Sequence, residues 1–442
     1  MSSRVAVIGA GWSGLACALE LVQRGIAVTL LDAAPQPGGR ARAVKVRLGD
    51  RTFALDNGQH LMIGAYRETL RLMSRAGVDP EGALLRLPFE LRYPDGFLLR
   101  ARRLPAPLHL AWGLLTAKGI GWADLRHLAS FALRWRARGF KLGVDVPASR
   151  LFEAAPAPVV RRLWRPLCLA ALNVELHEAS AQLLLNVLRD SLAARADASD
   201  LLIPRLDLSA AFAGPALAAL QAAGAEVRLR SPVQRLDRTS SRWLIEGRGS
   251  NSEADAVVLA LPPQRAAALL ASTRLADLAP ATELLHAVEA APIATAYLRY
   301  EASLRLPWPA CALLDEPAAD RFGQWVFDRG YLDRANAGVL SVVISAAGAA
   351  LAGPPASLAA SVARQLSAEL GLPNPGASAV LAEKRATIVP SPGLRRPPTR
   401  LPAAFLYLAG DAADGDYPST LEGSVRAGIA AAHAIAADLG RR

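Results

Sequence analysis

Only three cysteines, Cys17, Cys168 and Cys311, occur in 442 residues, and they lie far apart. They make neither a disulfide framework nor a CxxC pair, which points to a reducing compartment. Lysine is almost as scarce. Lys45, Lys118, Lys141 and Lys384 are the whole complement, so arginine carries the net charge of +11. An arginine-rich surface suits phosphates, carboxylates or anionic headgroups, and is equally what compositional drift in an alanine-rich chain would give. No uncharged run has the form of a spanning helix. Residues 335–363 are broken by Gly338, Gly348 and Gly353-Pro354-Pro355, which predicts a strand at 339–345 and a helix beyond the prolines. Residues 104–117 fall short of the ~20 needed to span. The opening MSSRVAVIGAG shows no signal-peptide cleavage region. A cytoplasmic protein is expected, soluble or peripheral on the inner face of the membrane.

Other absences narrow the chemistry. HExxH, P-loop and Ser–His–Asp signatures are missing, so zinc chemistry, ATP use and hydrolysis have no support and no metal site is expected. A pI near 10.2 comes without a nucleic-acid-binding module, so no nucleic-acid partner is expected. Apolar residues make up 52% and charged ones 20%, which excludes a disordered chain. The length exceeds what one core supports and suits two or three domains.

The informative part is the beginning. Val5-Ala6-Val7-Ile8 reads as a buried strand, Gly9-Ala10-Gly11-Trp12-Ser13-Gly14 as a glycine turn opening a helix, and 27–31 as a second strand ending at Asp32. Strand, GxGxxG, helix, strand and acid in one unit form a dinucleotide-binding fingerprint. Gly9 permits the turn, Gly11 lets backbone approach a pyrophosphate, and Gly14 allows helix and strand to pack. The helix N-terminus, with Trp12 and Ser13, offers N–H groups to phosphates, and Asp32 is placed to bind a ribose diol. The unit alone does not choose between nicotinamide and flavin.

Gly38-Gly39-Arg40-Ala41-Arg42 makes that choice. It resembles the FAD signature of the amine oxidase and phytoene desaturase superfamily, in which the glycine pair approaches the flavin end and the arginine neutralises pyrophosphate charge. Asp32 stands where that superfamily usually has Glu. At the other end, a strand at 404–409, Gly410-Asp411 and a helix opening at Thr420-Leu421-Glu422 resemble its closing FAD motif. The resemblance implies that Gly410, Asp411, Leu421 and Glu422 meet the ribityl, phosphate and flavin region, and that Val233 meets the adenine through its backbone. No cysteine follows Cys311, so FAD is expected to be held non-covalently. The implied fold is α/β, a Rossmann-type FAD-binding domain with a parallel sheet plus a mixed α+β substrate domain. The FAD domain would comprise 1–75, 210–285 and 400–442, and the substrate domain 76–209 and 286–399.

Phe53-Ala54-Leu55-Asp56-Asn57-Gly58-Gln59-His60-Leu61 resembles the flavin-side segment of squalene-associated FAD-dependent desaturases, the hydroxysqualene dehydroxylase family. Trp164-Arg165-Pro166-Leu167 to Asn173 and Lys384-Arg385-Ala386-Thr387 extend the likeness. One departure is Ala412-Ala413 after Asp411, where relatives often carry an aromatic. Gly58 is a candidate flavin contact. His60 has two readings, a proton donor near the flavin or a histidine that fixes its loop by hydrogen bonds. Asp56 likewise reads as an acid or as an Asx-turn residue before Asn-Gly. The resemblance implies reductive dehydroxylation of hydroxysqualene to squalene, in hopanoid or triterpene synthesis. A carotenoid-type desaturase, an amine oxidase and a non-catalytic lipid-binding flavoprotein are the alternatives. The expected partners are an apolar triterpene and a membrane surface; the electron donor is not legible.

Residues 104–141 hold Trp112, Trp122, Phe131, Trp135 and Phe140 among leucines, beside Arg126, Arg134, Arg136, Arg138 and Lys141. Tryptophan with arginine suits an interfacial helix, with Trp112, Trp122 or Trp135 entering the interface. A core helix with a solvated basic face fits the same composition.

Overall fold

A computed structural model describes residues 3–248 and 251–440. At its centre is a five-stranded parallel sheet in the order Glu226–Arg228, Ala27–Leu31, Arg4–Ile8, Ala256–Leu259, Leu406–Leu408. The first strand is flanked on both sides, pairing Val5 with Val28 and with Ala256. Burial on both faces is why it reads as an unbroken apolar run rather than an alternating one. All five strands come from residues within 1–75, 210–285 and 400–442.

One face of the sheet carries the helices Trp12–Gln23 and Leu421–Leu439, joined in a single core. They approach closely because Gly428 has no side chain; a Cβ there would overlap the carbonyl of Ser13. The other face is covered by the helix Pro263–Ser272 and the three-stranded meander Val233–Arg238, Trp243–Gly247 and Asn251–Ala254.

A second, antiparallel five-stranded sheet runs Ala310–Ala312, Trp325–Asp328, Val339–Ile344, Ala290–Arg299, Ala377–Ile388. The helix Pro355–Leu370 packs on it through Leu358, Val362 and Leu366. The uncharged 335–363 segment is thus a strand and a helix beyond the prolines. Among the described residues no helix is long and apolar enough to cross a membrane.

Two placements correct the sequence reading. The hairpin Ala43–Leu48 and Arg51–Asp56, assigned with residues 1–75, packs Val46, Leu48, Phe53 and Leu55 against Tyr297 and Val339 of the antiparallel sheet. It carries the flavin-side segment from one sheet to the other. Residues 104–141 form two helices, Leu108–Leu115 and Trp122–Ala137. Trp135 does not face outward: it is buried with Leu128, Phe131 and Trp164 in one aromatic core, because 128, 131 and 135 share a helical face.

Candidate active site

A cavity of about 640 Å³ is lined from both ends of the chain and from the antiparallel sheet. That size falls within the range of cofactor and ligand sites. The glycine turn shapes one wall. Gly9, at φ +110°, sits where a Cβ would strike the carbonyl of Ala260. A Cβ on Gly14 would overlap the carbonyl of Gly9, so the helix lies directly on the turn. Gly11 differs: a Cβ would meet only Gly39 Cα at 4.0 Å, and the residue lines the cavity. Gly38 donates its N–H to the Ala10 carbonyl at 2.8 Å, drawing the second glycine pair onto the first. Trp12 secures that loop by donating from Nε1 to the Ala41 carbonyl at 3.1 Å and packing on Phe212.

These groups suit a dinucleotide. The helix Trp12–Gln23 has no side-chain cap at its N-terminus, so its first N–H groups are available to phosphate. Ser13 Oγ is buried on the cavity wall with no partner among the described residues. A buried hydroxyl lacking a partner costs free energy unless a ligand supplies one, and a phosphate oxygen would. Asp32 accepts from the N–H of Ala10 at 2.5 Å and of Ala34 at 2.7 Å. Each carboxylate oxygen keeps a lone pair for a ribose hydroxyl.

The closing motif meets this wall directly. Arg40 Nη2 lies 2.5 Å from Asp411 Oδ2, and Arg40 Nη1 donates to the Ala386 carbonyl at 2.7 Å. Burial would raise the Asp411 carboxyl. The charge and hydrogen bond of Arg40, the Ser419 N–H at 2.7 Å and the Arg396 charge outweigh it and hold the carboxyl below the usual range. Gly410, Asp411 and Leu421 line the cavity, as do Gly39, Arg40 and Gly58.

Glu422 and Val233 do not. Glu422 accepts from the backbone N–H and hydroxyl of Thr69 at 2.9 and 2.8 Å, and from Arg426, so it serves the N-terminus of the helix Arg67–Arg75. Val233 opens the meander and packs against the core beside it.

His60 is on the cavity wall. Its Nδ1 lies 2.6 Å from the Gly58 carbonyl, which can only accept, so Nδ1 carries the hydrogen and Nε2 is the bare nitrogen of the neutral ring. Burial holds its pKa below the ordinary value of 6.5, partly offset by that bond. His60 is therefore fixed to its loop, as the second sequence reading expects, and it lines the cavity.

Asp56 is neither a cavity acid nor an Asx turn. It is buried outside the cavity lining, and Oδ1 accepts from the Leu208 N–H at 2.7 Å, far along the chain. Burial pushes its pKa to about 7, against the Leu208 bond and the nearby Arg329.

Sequence reasoning missed Arg396 and Ser419. Buried Arg396 donates to the carbonyls of Asp411, Ala413 and Gly415, holding the loop after the closing motif. Ser419, at φ +58°, gives both its N–H and its hydroxyl to Asp411. No local pattern marks either residue. The rest of the lining mixes polar side chains, among them Asn57, Asn173, Thr295, Glu383 and Thr387, with the apolar Leu61, Leu169, Ile293, Trp325, Phe327 and Val343.

A family model for flavin containing amine oxidoreductase matches residues 12–436. The chain belongs to that family. It is an FAD-dependent oxidoreductase, and the glycine turn, Ser13, Asp32, Arg40 and Asp411 form a site that fits FAD. The chain is 31% identical to a hydroxysqualene dehydroxylase of Rhodopseudomonas palustris, covering 99% of each. It is 36% identical to a zeta-carotene desaturase of Zea mays over 17% of this chain and 13% of that one. Its fold matches cyclohexylamine oxidase from Brevibacterium oxydans at a TM-score of 0.70 and 19% identity, covering 100% of both chains.

Proposed function

We propose that this flavoprotein reductively dehydroxylates hydroxysqualene to squalene. The observation that carries the reading is the end-to-end likeness to a hydroxysqualene dehydroxylase, joined to a cavity that presents an apolar group of Leu61, Leu169, Ile293, Trp325, Phe327 and Val343 beyond the FAD groups. An apolar lining suits a triterpene better than a charged amine.

Replacing C–OH by C–H needs a hydride at carbon and a proton at oxygen, with water leaving. FAD, when bound and reduced, supplies the hydride. The protein's residues do the rest. Trp325, Phe327, Leu169 and Ile293 would exclude water and align the chain. His60 presents Nε2 toward the cavity, and at neutral pH that nitrogen accepts a hydrogen bond from the substrate hydroxyl. Delivery of a proton to the departing oxygen requires Nε2 to be loaded first, which makes His60 a strong acid once charged because burial disfavours its cationic form. Glu383, Asp32 and Asp411 also line the cavity, but Asp32 and Asp411 are engaged by N–H and arginine groups.

A carotenoid-type desaturase is the second reading, favoured by the short match to zeta-carotene desaturase. Anaerobic incubation of purified holoenzyme separates the two. Squalene formed from hydroxysqualene with reduced flavin supports the first. New double bonds in a polyene with oxidised flavin, and no squalene, would replace it with the second.

A further inference from the structure

Helix Leu108–Leu115 is built inside out. It buries His109 and Gly113, and leaves Leu108 57%, Trp112 50% and Leu115 65% exposed along one stripe. The packing enforces this: a Cβ on Gly113 would press on the Arg100 carbonyl, so no larger residue could face inward there. Both ring nitrogens of His109 are buried without a partner among the described residues, although an outward turn would hydrate them. The neighbouring helix Trp122–Ala137 buries Leu128, Phe131 and Trp135, and its opposite stripe carries Trp122, Arg126, Leu133 and Arg136. On that stripe Trp122 is 83% and Leu133 70% exposed. Among the described residues, six of the nine large exposed hydrophobic side chains fall between Leu104 and Leu133.

The charge around these side chains is one-sided. Residues 96–144 hold nine basic side chains and a single carboxylate, Asp124. Among the described residues, Arg102, Lys118, Arg126, Arg134, Arg136 and Lys141 are exposed and have no carboxylate within ion-pair distance.

We propose that the stripes of these two helices dock on an anionic lipid bilayer, with Leu108, Trp112, Leu115 and Trp122 entering the interface and the unpaired cations meeting headgroups. Protruding Trp and Leu tips ringed by basic residues match a deformable, negatively charged surface. A second copy of the chain would bring the same cations face to face and repel. The inference stands on exposure and charge and is independent of what the cavity transforms.

Cosedimentation of holoenzyme with vesicles of phosphatidylglycerol and phosphatidylcholine, and with phosphatidylcholine alone, tests it. The parent should bind the anionic vesicles, and less at high salt. Trp112→Ser with Trp122→Ser should weaken partitioning about tenfold or more, as should Arg126→Gln with Arg136→Gln. FAD absorbance and melting temperature should not change, since all four side chains are exposed. Failure of the parent to bind anionic vesicles would overturn the proposal, as would undiminished binding by both variants. So would a lipid-free dimer that the tryptophan variant abolishes, which would make the patch an interface between copies.

Discussion

Arg40 Nη2 and Asp411 Oδ2 are 2.5 Å apart, across 371 positions of sequence. The pair ties the loop after the second strand to the closing motif, so the FAD wall is complete only when the two chain ends meet. Asp411 is buried while Arg40 is partly exposed. Arg40→Met should therefore cost about 1–2 kcal/mol rather than the full penalty of a wholly buried pair. The folded carboxyl sits below its unfolded value, so its stabilisation is present above the unfolded pKa and is lost as pH falls through the folded one. Without Arg40, burial is less opposed and the carboxyl rises. Acid unfolding of the variant, followed by circular dichroism, should begin at higher pH than in the parent; coincident curves would refute the linkage.

Gly11→Val and Gly14→Val should fail differently. A side chain at 11 enters the cavity and meets little protein, so that variant should fold with parental circular dichroism yet carry no flavin. A side chain at 14 overlaps the Gly9 carbonyl, so that variant should not accumulate as folded protein. A yellow Gly11→Val enzyme would undo the cofactor assignment.

Asp56 should behave as a structural acid with an unusual pH signature. Its folded pKa of about 7 lies above the unfolded carboxylate value of about 4, so the folded state holds the proton more tightly. The parent should lose stability as pH rises from about 4 through 7. Asp56→Asn keeps an oxygen for the Leu208 N–H and has no charge to bury. Its melting temperature relative to the parent should rise between pH 5 and pH 8. An unchanged difference at the two pH values would contradict the assignment.

Much of the cofactor site is legible in the sequence because backbone geometry is local. Gly9, Gly11 and Gly14 act within one turn, and Asp32 ends the adjoining strand. Glu422 misled because an acid at a helix start beside a ligand motif looks like a ligand group, whereas its partners at Thr69 come from a distant helix. Trp135 was readable: its spacing from Leu128 and Phe131 marks a core stripe, which composition alone obscured. Arg396 and Ser419 could not be found, since their roles rest on where a distant loop is carried by the fold.

His60→Phe should retain FAD, because the ring's bond is to its own loop at Gly58. Turnover should fall by about 10²–10⁴ if Nε2 handles the proton on the substrate oxygen. Because His60 titrates below its ordinary value, the parental rate should climb as pH drops from 8 toward that pKa. The variant's profile should be flat over the same span. A variant with the parental rate and slope would place the proton donor elsewhere.

The central claim is tested most directly by a single anaerobic turnover. Holoenzyme reduced to the colourless state is mixed with one equivalent of hydroxysqualene, the flavin absorbance is followed, and the lipid is extracted. The account predicts return of the oxidised flavin spectrum with one squalene formed per flavin. Flavin that stays reduced over unchanged hydroxysqualene would contradict it.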